Sequence, residues 1–197
     1  MTARVVAIVL AAGAGRRMGF RPKALLPIDG ESFLARVVRT CRDGGCDDVW
    51  IVVPAEPPGV LALAQSLRAC AIVNPDPERG MLSSVQIGVR AAAPATAGTV
   101  SYLVFPVDHP RVQASTVRSL LGVRVQEREG KWIRPVYEGR GGHPILVPGP
   151  ATAGLLERDP REPLRDALRG IGLEPLDVPV EDPGVLVNLN LPEQISE

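Results

Sequence analysis

The chain has 197 residues, 45% hydrophobic and 22% charged, which excludes a disordered tail protein and a coiled coil. Its 22 basic and 22 acidic residues cancel, so it is a poor candidate for gripping long nucleic acid through the phosphates. No stretch reaches the roughly 18 apolar residues of a membrane span, and Cys41, Cys46 and Cys70 form no CxxC pair, so no membrane anchor, disulfide framework or zinc site is expected.

Val5 to Ala11 is a continuous apolar run rich in β-branched residues, as in a strand buried on both faces. Arg4 and this run mimic a signal peptide, but the run is at the short limit and leads into a Gly/Arg loop, so the expected location is the cytoplasm. Ser32 is placed to cap a helix with apolar face Phe33, Leu34, Val37, Val38 and Cys41, ended by Gly44-Gly45. A strand over Val49–Val53, a helix over Gly59–Ala69 and a short strand over Ala71–Val73 follow. Next come a helix over Leu82–Ala92, a strand over Val100–Phe105 and a helix over Ala114–Leu121. This alternation predicts an α/β fold with a mostly parallel sheet.

After residue 125 the rhythm changes. Trp132–Tyr137 and Pro144–Val147 read as a hairpin pair flanking a cleft, followed by short helices at Ala151–Glu157 and Pro163–Arg169. Val178–Val180 and Val185–Val187 read as short extended pieces. No repeat or linker divides the chain. One domain over 1–197 is expected, with an NTP-binding half over about 1–125 and an acceptor-binding half over about 126–197.

The loop after the first strand carries the most chemistry. Glycines 13, 15 and 19 let backbone approach an anion, and Arg16, Arg17, Arg21 and Lys23 crowd four positive charges into eight residues. Lys23 is one of only two lysines beside 20 arginines. The pattern reads as a cradle for a nucleoside triphosphate. It is not a Walker A loop, because Lys23 is followed by Ala24. It matches the dinucleotide fingerprint only loosely. Pro22 falls where a second helical turn would be, and Pro54 stands where an acidic residue is expected. These two features disfavour a nicotinamide-dependent oxidoreductase.

The stretch from Leu10 to Pro27, LAAGAGRRMGFRPKALLP, resembles the signature of the MobA-like nucleotidyltransferases, most closely the molybdenum cofactor cytidylyltransferases. The resemblance continues through Asn74–Ser84, Pro106–Pro110, Gly142-His143-Pro144 and Asn188–Glu193. It implies a three-layer α/β/α sandwich, Rossmann-like and of the nucleotide-diphospho-sugar transferase type. The implied activity is Mg²⁺-dependent transfer of a nucleoside monophosphate, CMP favoured, from an NTP to a phosphorylated acceptor, molybdopterin, releasing pyrophosphate. Such a reaction needs charge neutralisation and alignment but no general base, because a phosphate nucleophile is already ionised.

The resemblance also assigns roles. Arg17 and Lys23 would contact the triphosphate, with Asp108 as the third catalytic residue and Mg²⁺ ligand. Leu10, Ala11, Ala12, Gly13 and Gly15 would border the nucleotide, with Asn74, Gly80 and Ser84 hydrogen-bonding base or ribose. By residue type alone, Asp108 reads equally as a turn residue before Pro110, and Ser83 as a helix cap. Ala12 in LAAG points to CTP over GTP. His143 would face the acceptor, as would Asn188 and Asn190. The cytidylyltransferases more often carry DIDTPED at this last segment, whereas this chain reads NLNLPEQ, closer to the guanylyl-type NINTPEE. Asn188 would be the second metal ligand, through an amide oxygen in place of a carboxylate. Alternatives are a GTP-using molybdopterin guanylyltransferase, a sugar-phosphate nucleotidyltransferase, and a non-catalytic chaperone delivering molybdopterin. A molybdenum hydroxylase is a further implied partner.

Overall fold

The computed structural model describes residues 4–13, 22–95, 100–123 and 130–190. Strand β1 (Arg4–Leu10) is the centre of the sheet. A two-residue hairpin follows, β2 (Pro27–Ile28) and β3 (Glu31–Ser32), turning at Asp29-Gly30. Helix α1 (Phe33–Asp43) begins where expected: the Ser32 side chain accepts a hydrogen bond from the Ala35 amide at 3.2 Å. Next come β4 (Asp48–Pro54), α2 (Pro58–Ser66), β5 (Cys70–Asn74), α3 (Met81–Ala92), β6 (Val100–Pro106) and α4 (Ala114–Gly122). The remaining elements are β7 (Lys131–Tyr137), β8 (Arg140–Gly141), β9 (Ile145–Pro148), α5 (Thr152–Leu156), α6 (Leu164–Gly170) and β10 (Glu174–Pro179).

The strand order is β5-β4-β1-β6-β9-β7-β10, with β8 pairing to β7. Strands β5, β4, β1 and β6 are parallel neighbours; β9 runs antiparallel to both β6 and β7; β10 returns parallel to β7. Three layers follow from the period-two alternation of strand side chains. Val5, Ala7 and Val9 pack with Phe33, Val37, Val60 and Val117 of α1, α2 and α4. Val6, Ile8 and Leu10 pack on the opposite face with Leu82, Val85, Leu155 and Leu168 of α3, α5 and α6. A continuous apolar run was the correct signature of a strand covered on both sides. Among the described residues, no helix is long and apolar enough to cross a membrane.

Two local expectations change. The extended piece at 178–180 is the end of the six-residue edge strand β10, whose Pro175 and Pro179 obscured it. Residues 185–187 are not a strand; Pro183–Leu186 form a 3₁₀ turn, started by the Asp182 carboxylate accepting from the Gly184 amide at 2.9 Å. The hairpin half continues the sheet through β9, and its Trp132, Arg134 and Ile145 line a cavity.

From β1 the chain moves outward to β4 and β5, then crosses back to β6 on the other side. The crevice beyond the carboxyl ends of β1 and β6 is thus the switch point where α/β sheets bind ligands.

Candidate active site

At that switch point, β1 delivers Leu10 to Gly13, and the Val107 amide donates to the Leu10 carbonyl at 3.1 Å. The turn after β6 carries Asp108. The Lys23 ammonium, from the 3₁₀ turn Lys23–Leu25, donates to Asp108 Oδ2 at 3.0 Å and also to Asn190 Oδ1. Asn190 is brought there by a backbone bond from the Leu189 amide to the Asp108 carbonyl, 2.9 Å long. Residues distant in sequence, 23, 108 and 190, therefore share one polar centre.

This centre is one end of a cavity of about 450 Å³. Leu10, Ala12, Gly13, Lys23, Gly80, Ser84, Asp108 and Asn190 line it, with Pro77, Glu78, Met81, Pro106 and Val107. Gly80 adopts φ +109°, and a Cβ there would sit 3.4 Å from the Pro160 carbonyl, so this wall calls for glycine. Ala11 is buried in the core beneath the cavity rather than at its surface. Asn74 also does not line the cavity and is only 1% exposed. Its amide donates to Ser83 Oγ at 3.0 Å and Ser84 Oγ at 2.9 Å, and its carbonyl accepts from the Asp76 amide at 3.0 Å. Asn74 thus braces the start of α3, and Ser84 carries that brace to the cavity wall. Gly15 and Arg17, with Arg16 and Arg21, lie outside the described residues.

Two buried oxygens have no hydrogen-bond partner, Asp108 Oδ1 and Asn188 Oδ1, on segments joined by the backbone bond from Leu189 to Asp108. Hard oxygen donors on neighbouring backbone fit a Mg²⁺-type ion, which is held by one or two protein oxygens with phosphates and water completing the shell. The residues present therefore fit the metal that the resemblance implies.

His143 faces a second cavity, of about 380 Å³, whose walls include Trp132, Arg134, Arg165, Leu164 and Leu168. Met81 borders both cavities. The His143 ring lies 5.1 Å from that of His109, centroid to centroid. Burial, with repulsion from His109, lowers the His143 pKa to about 4; burial likewise lowers that of His109, opposed by Asp108 at 3.9 Å. Both rings are neutral at pH 7. Gly142 allows the close approach of this segment to the Pro183–Leu186 turn, since a Cβ there would meet the Val185 carbonyl oxygen. Sequence reasoning missed Met81, Trp132 and Arg165 as lining residues; they are scattered over three elements, and only Met81 falls within a motif.

Residues 7–176 match the MobA-like NTP transferase domain. The chain belongs to this family. A nicotine blue oxidoreductase from Paenarthrobacter nicotinovorans is 36% identical over 79% of this chain and 78% of its own length. A molybdenum cofactor guanylyltransferase from Pseudomonas fluorescens is 29% identical over 94% of this chain and 89% of its own. Among solved structures, the nucleotidyl transferase Mth528 of Methanothermobacter superposes with a TM-score of 0.75, at 23% identity, over 95% of this chain and 92% of its own, which shows the shared fold. The MobA-like assignment agrees with the Rossmann-like reading of the sheet.

Proposed function

We propose that this MobA-like nucleotidyltransferase transfers CMP from CTP to a phosphorylated acceptor, molybdopterin. The observation that carries the reading is the Lys23–Asp108–Asn190 centre at the β1/β6 switch point, opening into a nucleotide-sized cavity. Ala12 is the residue that favours CTP; the guanylyltransferase relative makes GTP the competing nucleotide.

In this reading the base and ribose lie between Leu10–Gly13 and the Gly80–Ser84 wall. Lys23 leaves Asp108 and Asn190 for the triphosphate, where a compact ammonium matches phosphate oxygens. Arg17 joins it from the glycine loop. An oxygen of the acceptor phosphate attacks the α-phosphorus, the bond to the β,γ-diphosphate breaks, and pyrophosphate leaves with its electron pair. Asp108 and Asn188 would hold Mg²⁺, which when bound supplies positive charge to the phosphates. His143, neutral at pH 7, orients the acceptor by hydrogen bonding. The protein's part is alignment and charge placement.

Pyrophosphate release with CTP, GTP or ATP, with Mg²⁺ and molybdopterin, tests the reading. CTP-dependent release is expected, and no product with any nucleotide refutes it. A second reading is reduction of a substrate by a nicotinamide nucleotide in the same crevice, favoured by the identity to nicotine blue oxidoreductase. Consumption of NADH or NADPH, followed by absorbance without any NTP, would select it.

A further inference from the structure

The two outermost strands of the sheet treat their free edges differently. Strand β10 carries Pro175, Asp177 and Pro179, residue types that keep an edge from pairing with another chain. Strand β5, at the other end, ladders only to β4 among the described residues, and its sequence Cys-Ala-Ile-Val-Asn holds no proline and no charge. Cys70 and Val73 are exposed, Val73 by 37%.

The backbone bonds show which groups of β5 are open. The Ala11 amide donates to the Val52 carbonyl at 2.8 Å, so Val52 turns its polar groups to β1. By alternation Ile51 and Val53 turn theirs to β5, where the register gives them Cys70, Ile72 and Asn74 as partners. The N–H and C=O groups of Ala71 and Val73 therefore point away from the sheet.

A second copy of the chain satisfies them. In an antiparallel pairing about a two-fold axis at Ile72, Ala71 of each copy exchanges both bonds with Val73 of the other, and Ile72 meets Ile72 as the close, non-hydrogen-bonded pair. The same register sets Arg68, just before β5, opposite Asp76, just after it, at both ends of the pairing. Both side chains are exposed, carry opposite charge and bond to no described residue. Moving the axis to Ala71 sets Arg68 against the uncharged Asn74; moving it to Val73 sets Pro75, which has no N–H, against Ala71.

We propose that the free edge of β5 is the surface on which two copies of this chain join into one continuous sheet, in the register that pairs Arg68 of one copy with Asp76 of the other. Asp76 leads directly into Pro77 and Glu78 of the nucleotide-cavity wall, so the join lies beside each copy's cavity. Strand geometry and charge carry this pairing, whichever nucleotide or acceptor the protein uses.

Sedimentation velocity on the full chain across about 1–100 µM tests it. A dimer with a Kd in the micromolar range is expected, because the pairing of one short strand is a small interface. Arg68→Glu sets like charges together at both ends and should weaken the dimer at least about tenfold at low salt. Adding Asp76→Arg to that variant should restore it. Val73→Pro removes an outward N–H that β4 does not use, and should give a monomer with unchanged circular dichroism. Ile72→Cys in a Cys70→Ser background should cross-link the two copies with copper phenanthroline. A wild type that stays monomeric at about 100 µM overturns the proposal, as does a dimer indifferent to Val73→Pro or to Arg68→Glu. Failure of the charge swap to restore the dimer overturns the register. Arg68 and Asp76 are exposed, so these variants keep the test decisive if Val73→Pro does not fold.

Discussion

Lys23 and Asp108, 85 residues apart in sequence, meet in an ion pair of 3.0 Å whose side chains are only 17% and 18% exposed. Partial shielding makes this pair stronger than a typical surface bridge. If both act on the same charge in the transition state, their effects on rate are coupled. Lys23→Met and Asp108→Asn should each lower turnover by about 10²–10³-fold. The double variant should lose less than the product of the two, measured as pyrophosphate release. Full additivity would show that the residues act independently.

Asn188 offers a sharper probe of the metal. Its Oδ1, like Asp108 Oδ1, is buried and unpartnered. If Asn188 and Asp108 hold one ion, Asn188→Asp adds a second carboxylate to that site, which repels without a cation and attracts with one. The variant should melt lower than wild type in EDTA and recover in millimolar Mg²⁺ by more than the wild type does. A Mg²⁺ shift no larger than that of the wild type would remove Asn188 from the ion's shell.

Asn74 should matter to stability before it matters to binding. Asn74→Ala leaves the Asp76 amide and two serine hydroxyls without their partner in a buried setting. A loss of about 1–3 kcal/mol in urea denaturation is expected, together with a raised KM for the nucleotide through displaced Ser84. An unchanged KM would confine Asn74 to bracing α3.

His143 gives the pH dependence a defined sign. Its pKa falls from 6.5 in the unfolded chain to about 4 in the fold, chiefly through burial. Between these values the unfolded chain binds more protons, so stability rises with pH there. The contribution is complete above about pH 6.5 and is lost as pH falls toward 4, amounting to at most about 3 kcal/mol. The urea midpoint should drop across this window, and His143→Asn should flatten the drop. An identical profile in the variant would contradict the assignment.

The nucleotide side of the fold was readable because β1, β4 and β6 are largely buried apolar runs and the loops after β1, β5 and β6 hold motifs. Val5–Ala11 announced β1, and Ser32 announced the start of α1. The far side was less readable. Pro175 and Pro179 disguised an edge strand, and the apolar Val185 stands in a turn that Asp182 dictates. Asp182, 2% exposed, also accepts from Thr116 Oγ1 at 2.6 Å and the Gln113 amide at 2.8 Å, links that no local pattern discloses. Asp108 was found by motif, but its tie to Asn190 needed the chain's path in space. The second cavity was legible only through Gly142-His143-Pro144; its other walls come from β7, α3 and α6, distant in sequence and joined only by the fold.

Strand β9 links the two parts of the sheet with only four residues, Ile145–Pro148, laddered to β6 on one side and to β7 on the other. It works as a seam. If it detached, β6 would present an open edge of fully buried, apolar character, the kind of surface that captures a strand from another molecule. Resistance to aggregation in this protein therefore depends on how firmly those four residues stay stitched in place.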